Sequence, residues 1–241
     1  QRGERPPAVH RIDELGDGLI RQYLETDAEN CFCVDIEGFV TDFLGLPILY
    51  RTIAEKDSDK IGFISDGITP VLVYESKKLV PMVYPKGTIV IEKCLRRESE
   101  SGKRRFTIAH EGGHMVVERT LPRVSFHREF DNERRYTASD FKDLFSFKET
   151  LIDRMGAALL MPRFMVYNVV KAYKIQDGIP VFGDCVLRAE DKLLVHDMAN
   201  TMGASYSAFF IRLRELGLLR RHDLSEFISR DMGLGQDGDF Q

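Results

Sequence analysis

His110 and His114 stand four residues apart, with Glu111 directly after the first, in the run His110-Glu111-Gly112-Gly113-His114. On a helix, positions i and i+4 share one face, so both imidazoles can reach a single metal ion. Glu111 sits just beside them, too near the helix axis to be a comfortable ligand. It is well placed to take a proton from a metal-activated water. A catalytic zinc site of this type takes three protein ligands and keeps a further position open for water. Cys94 is a poor third ligand, because it precedes the helix across a charged loop. His127, in the loop beyond the motif, stays open as a candidate. Glu149 is the stronger one, near the expected start of the next long helix. Asp153 follows it at i+4 on the same face, where it can accept the free N–H of a ligand histidine. The competing reading of Glu149 is an acid favoured at a helix start by the macrodipole.

These residues need a helix under them. Phe106, Ala109, Gly113 and Val117 recur at helical spacing, which predicts a helix from about Lys103 to Glu118. Gly112 and Gly113 would each cost roughly 1 kcal/mol in a helix interior. They make sense where a sheet, another helix or a substrate approaches the backbone closely. The next helix is expected from about Phe147 to Met161, with Pro162 as its stop and as the opening of a helix to about Tyr173. Leu151, Met155, Ala158 and Leu159 give it a packing face, and Gly156-Ala157-Ala158 permits close contact. Between the two helices, residues 119–146 read as a long irregular connection that could rim a cleft.

Upstream, helical spacing at Ile12, Leu15, Leu19 and Tyr23 and again at Ile36, Phe39, Val40, Phe43 and Leu44 predicts two helices, the second stopped by Gly45. Short Val-, Ile- and Tyr-rich segments follow at 48–54, 61–65, 71–74, 80–84 and 88–92. Turn signals separate several of them, which predicts a small, mostly antiparallel sheet of three to five strands. Downstream, helices are expected at about 190–202, 205–216 and 224–229. In the second of these, Phe209, Leu213 and Leu216 should face inward and Arg212 and Arg214 outward. The fold class is therefore α+β, with the sheet packed on helices. The expected organisation is an N-terminal helical segment (1–45), a core carrying the motif (46–175) and a C-terminal helical lobe (176–241).

The chain has 241 residues, 43% of them hydrophobic, and a formal net charge of −4. This composition excludes disordered and fibrous classes. The mild acidity argues against general attraction to nucleic acid or anionic membrane. No apolar run is long enough for a transmembrane helix, and the polar start carries no signal peptide, so a cytoplasmic location is expected. Four cysteines are too few for a disulfide scaffold and should be reduced, mostly buried thiols.

Two blocks together resemble one family. Arg105-Phe106-Thr107-Ile108-Ala109-His110-Glu111-Gly112-Gly113-His114 is similar to the R-F-T-[IL]-A-H-E-x-G-H signature of the ImmA/IrrE metallo-endopeptidases. Glu149 through Ala157-Ala158-Leu159-Leu160-Met161-Pro162 resembles that family's second block. The stretch from Ile61 to Ile91 resembles its sheet, and Ile211 to Gly217 is a weaker echo of its ending. One departure is Ile152, where family members often carry a small residue; the acid after it, Asp153, is kept. The resemblance implies a zincin-like fold, one Zn2+ held by His110, His114 and Glu149, and Glu111 as general base. It also implies a protein substrate, typically a helix-turn-helix repressor whose cleavage de-represses a mobile element or stress response.

Amide hydrolysis also needs a donor for the oxyanion. Tyr136 and His127, in the connection between the two ligand helices, are the candidates. The substrate is expected to lie extended along an edge strand of the sheet. Two other functions compete with peptidase activity. One is a non-catalytic regulator that binds a repressor without cutting it. The other is a DNA-binding protein that uses the helix at 205–216 and Arg220-Arg221-His222; the acidic net charge counts against it.

Overall fold

The computed structural model describes residues 7–54, 61–120, 138–230 and 232. Helix α1, Pro7–Leu24, opens on a proline whose fixed φ suits a first helical turn. Helix α2, Ile36–Gly38, is started by Asp35, whose carboxylate accepts the Gly38 N–H at 3.1 Å. It runs on into a π-helical turn, Phe39–Phe43, whose rings pack with Tyr23 of α1. Gly45, at φ 71°, ends it in the left-handed conformation that glycine adopts without strain.

Five strands follow: β1 Ile48–Ile53, β2 Gly62–Ile64, β3 Val71–Glu75, β4 Lys78–Met82 and β5 Ile89–Glu92. Their order across the sheet is β2-β5-β1-β3-β4. Only β1 and β5 run parallel; the other neighbours are antiparallel. Strand β5 lies inside the sheet, between β2 and β1, and reads Ile-Val-Ile, with all three side chains buried, as a strand covered on both faces must be. Strand β2 is an edge. Its Ser65 N–H and Ile61 carbonyl bond toward β5, so the backbone groups of Gly62 and Ile64 turn the other way.

Helix α3, Ser101–Thr120, and helix α4, Ala138–Leu160, form the central helix pair. Then come α5 Arg163–Ala172, β6 Ile179–Phe182, α6 Ala189–Thr201, α7 Tyr206–Leu216, β7 Leu219–His222 and α8 Leu224–Arg230. Strands β6 and β7 pair in parallel as a separate two-stranded ribbon. One cluster of buried apolar side chains joins α1, β5, α3, α4, α5 and α7. Among the described residues, no helix is long and apolar enough to cross a membrane.

The small residues lie where helices cross. A Cβ on Gly16 of α1 would stand 2.7 Å from Ala158 Cβ. A Cβ on Gly156 would stand 3.0 Å from both N and Cα of His110. The run Gly156-Ala157-Ala158 therefore serves two crossings at once, against α3 on one side and α1 on the other. Ile152, the departure from the family pattern, is wholly buried, and its carbonyl oxygen lies 3.4 Å from where a Gly113 Cβ would be. Gly113 gives the helices room at that point.

Four expectations are corrected. Helix α4 begins at Ala138 rather than near Phe147. Nothing between 138 and 155 breaks a helix, and Phe141, Leu144, Phe145, Leu151, Ile152 and Met155 keep its period. Arg212 does not face outward but is 0% exposed. Its guanidinium reaches Asp13 Oδ1 at 2.7 Å and donates to the Met161 carbonyl at 3.0 Å. Cys33, Cys94 and Cys185 are exposed rather than buried, because each sits on a connection between elements; all four cysteines are free. Strand β7 forms between two expected helices, where no element is predicted, because β6, some forty residues earlier in the chain, supplies its partner.

Candidate metal centre

Helix α3 is anchored at its start. Arg104 Nε donates to Glu37 at 3.0 Å and its Nη1 to the Leu95 carbonyl at 3.1 Å. Arg105 spans wider gaps, donating to the Val34 carbonyl at 2.6 Å and the Gly203 carbonyl at 2.9 Å. These bonds fix the helix just before the turn that carries His110. No local signal marks Arg105 for this task, since its acceptors lie 71 and 98 residues away.

On α3 the two imidazoles stand 5.0 Å apart, centroid to centroid. Glu149, on α4, places Oε2 3.6 Å from His110 Nε2 and 3.8 Å from His114 Nε2. The three ligand atoms lie within 4.8 Å of one another. An ion bonded at about 2.0–2.2 Å keeps its ligand atoms at most about 4.4 Å apart, which the two Glu149 gaps meet, and two nitrogens with one carboxylate oxygen suit zinc. Glu149 is not at a helix start: it lies about three turns inside α4, so the macrodipole account of it falls away.

Asp153, one turn on, holds Oδ1 2.9 Å from His110 Nδ1. Burial opposes charge on His110, but the Asp153 hydrogen bond and the charges of Glu111, Asp153 and Glu149 outweigh it and raise the imidazole pKa. Glu111 is only 6% exposed. That burial pushes its carboxyl up to about 7, against the opposing pull of His110 and of a hydrogen bond from the Ile64 N–H. A group poised there suits proton transfer near neutrality.

Strand β2 lies directly against this part of α3. A Cβ on Gly62 would stand 2.5 Å from Thr107 Cγ2 and 3.6 Å from Glu111 Oε1, so only glycine fits. The contribution of Gly62 and Ile64 to the site is not visible in a one-dimensional pattern. Cys94 sits on the turn after β5 and is not part of the candidate group among the described residues. His127 and Tyr136 lie outside the described residues.

The profile of peptidase family M78, the IrrE N-terminal-like domain, matches residues 42–179. That span holds the five-stranded sheet, helices α3 and α4, and His110, Glu111, His114, Glu149 and Asp153. A search of curated proteins gave no match. With more than half of its length matched, the chain belongs to the M78 peptidase family.

Proposed function

We propose that this protein is a zinc-dependent endopeptidase of zincin-like fold that cleaves a protein substrate, a helix-turn-helix transcriptional repressor, and so relieves repression. The observation that carries the reading is the convergence of His110, His114 and Glu149 within 4.8 Å beside the buried carboxyl of Glu111. His110, His114 and Glu149 are the residues that would hold one zinc ion. When bound, zinc supplies a Lewis acid that acidifies water and polarises the scissile carbonyl. Glu111 takes the proton from the attacking water and passes it to the leaving amine. Asp153 fixes the tautomer and ring orientation of His110. The edge of β2 offers the backbone groups of Gly62 and the Ile64 carbonyl to an extended substrate, the Ile64 N–H being held by Glu111. The inward turn of Arg212 favours a packing role for α7 over DNA recognition.

The test pairs the zinc-loaded protein with the repressor encoded beside its gene. Wild type should cut it, chelator should stop the cut, and Glu111→Gln should keep zinc while losing about 10²–10⁴-fold in rate. An intact repressor with zinc confirmed in place would remove the proposed substrate. Equal cleavage by Glu111→Gln would remove the proposed base. Relief of repression by that variant at the wild-type level would instead favour a regulator that binds without cutting.

A further inference from the structure

A cavity of about 300 Å³ opens along β2, and the proton-transfer chemistry makes no use of it. Phe63, Ile64, Val71 and Thr69 contribute to its walls, together with Gly62 and the turn at Ser65-Asp66. Two contacts tie it to the reacting centre. The Ile64 N–H donates to the Glu111 carboxylate, and the Gly62 Cα faces the same carboxylate. Both residues also line the cavity, so its wall and the surroundings of the base share one short strand.

An edge strand binds an extended peptide through main-chain hydrogen bonds, which carry little sequence preference. Preference comes from pockets that receive alternate side chains, because successive side chains of a strand point to opposite faces. A peptide laid along β2 therefore passes both Glu111 and this cavity.

We propose that the cavity is a specificity pocket beside the scissile bond, taking one large apolar side chain of the Leu, Met or Phe class from a peptide paired with β2. This rests on the peptidase reading above. The walls match such a side chain, since Phe63, Ile64 and Val71 are apolar and, among the described residues, no cation lines the space. Asp66 adds a constraint on charge. Its carboxylate accepts the N–H groups of Ile68 and Thr69, both at 2.8 Å, and the Thr69 hydroxyl at 2.6 Å. These bonds fix the 66–69 turn as a wall and hold the carboxyl ionised, at a pKa of about 2. Asp and Glu side chains meet that fixed negative charge and are disfavoured.

The test is digestion of a synthetic peptide library, randomised around its centre, with cut sites read by mass spectrometry. Zinc-loaded wild type should prefer Leu over Ala by about 10-fold or more at one position next to the cut, and should avoid Asp and Glu there. Val71→Phe and Thr69→Phe fill the cavity from two different walls. In each, the Leu-to-Ala ratio should fall to about 1 or reverse, while zinc content and melting temperature identify any variant that failed to fold. Asp66→Asn keeps the turn and should admit Glu at that position. A wild type that cuts without apolar preference, or a preference kept in both filled variants, overturns the pocket and leaves the peptidase reading standing. A library left uncut by zinc-loaded wild type overturns the peptidase reading and the pocket with it.

Discussion

The Nδ1 of His110 lies 2.9 Å from Oδ1 of Asp153. An ionised carboxylate has no proton to give, so the imidazole must donate. Its Nε2 is then left with a lone pair on the side of His114 and Glu149. Asp153→Ala frees the ring to choose the other tautomer and to rotate. Zinc affinity should fall by about 10–100-fold, measured by competition with a chromogenic chelator. An unchanged affinity would mean that packing alone orients the ring.

Zinc should also stabilise the fold, because its three proposed ligands come from two helices. At free zinc about 100-fold above Kd, the gain is about 2.7 kcal/mol, visible as a rise in melting temperature that chelator reverses. Glu149→Ala should remove most of the rise. A full rise in that variant would point to a different third ligand.

Gly156 and Gly18 should respond in opposite ways to alanine. A Cβ at Gly156 meets the backbone of His110 at 3.0 Å, and backbone cannot swing aside. Gly156→Ala should cost about 1–3 kcal/mol in urea denaturation and weaken zinc binding by displacing His110. A Cβ at Gly18 meets nothing within 4 Å, so Gly18→Ala in α1 should gain up to about 1 kcal/mol.

Asp13 is the hinge of a buried charge network. Burial pushes its carboxyl pKa up, but the guanidiniums of Arg212 and Arg154 prevail and hold it below the ordinary value. Arg154 reaches Asp13 at 2.9 Å and Glu215 at 3.3 Å. Asp13→Ala leaves Arg212 buried with its main partner gone and should cost about 3–5 kcal/mol. A depressed carboxyl pKa gives stability that is full above the unfolded-state value, about 3.9, and is lost as pH falls through the folded-state value. Denaturation followed from pH 6 down to about 2 should therefore show an acid loss in wild type that is smaller in Asp13→Asn.

Legibility in the sequence followed the range of the interactions. The helix under His110 and His114 was readable because its period and its motif lie within one short segment. The strand positions were readable from β-branched runs and turn residues. Gly113 and Gly156 announced a close approach, though only the fold reveals that they face each other's helices. Arg212 could not be read correctly, because its alternation with Leu213 and Arg214 mimics an exposed face and its acceptor is 199 residues away. Strand β7 failed for the same reason, having no local cue without β6. The start of α4 is hard to place because the polar residues before Phe141 read as a loop, although Phe141, Leu144 and Phe145 already carry the helical period. The pairing of Glu149 with Asp153 at i+4 favours Glu149 over His127 in the sequence, and the fold brings Glu149 to the two histidines.

The link from Asp13 to Arg212 also sets an order of events during synthesis. A chain that has left the ribosome as far as α4 already carries His110, Glu111, His114, Glu149 and Asp153. It does not yet carry Arg212 or Glu215, so Asp13 and Arg154 cannot complete their network and α4 lacks its clamp. Metal-ligand geometry should therefore become rigid only after α7 has emerged. Such a delay would keep a nascent peptidase from acting on unfolded chains nearby, its own included, until α7 has docked.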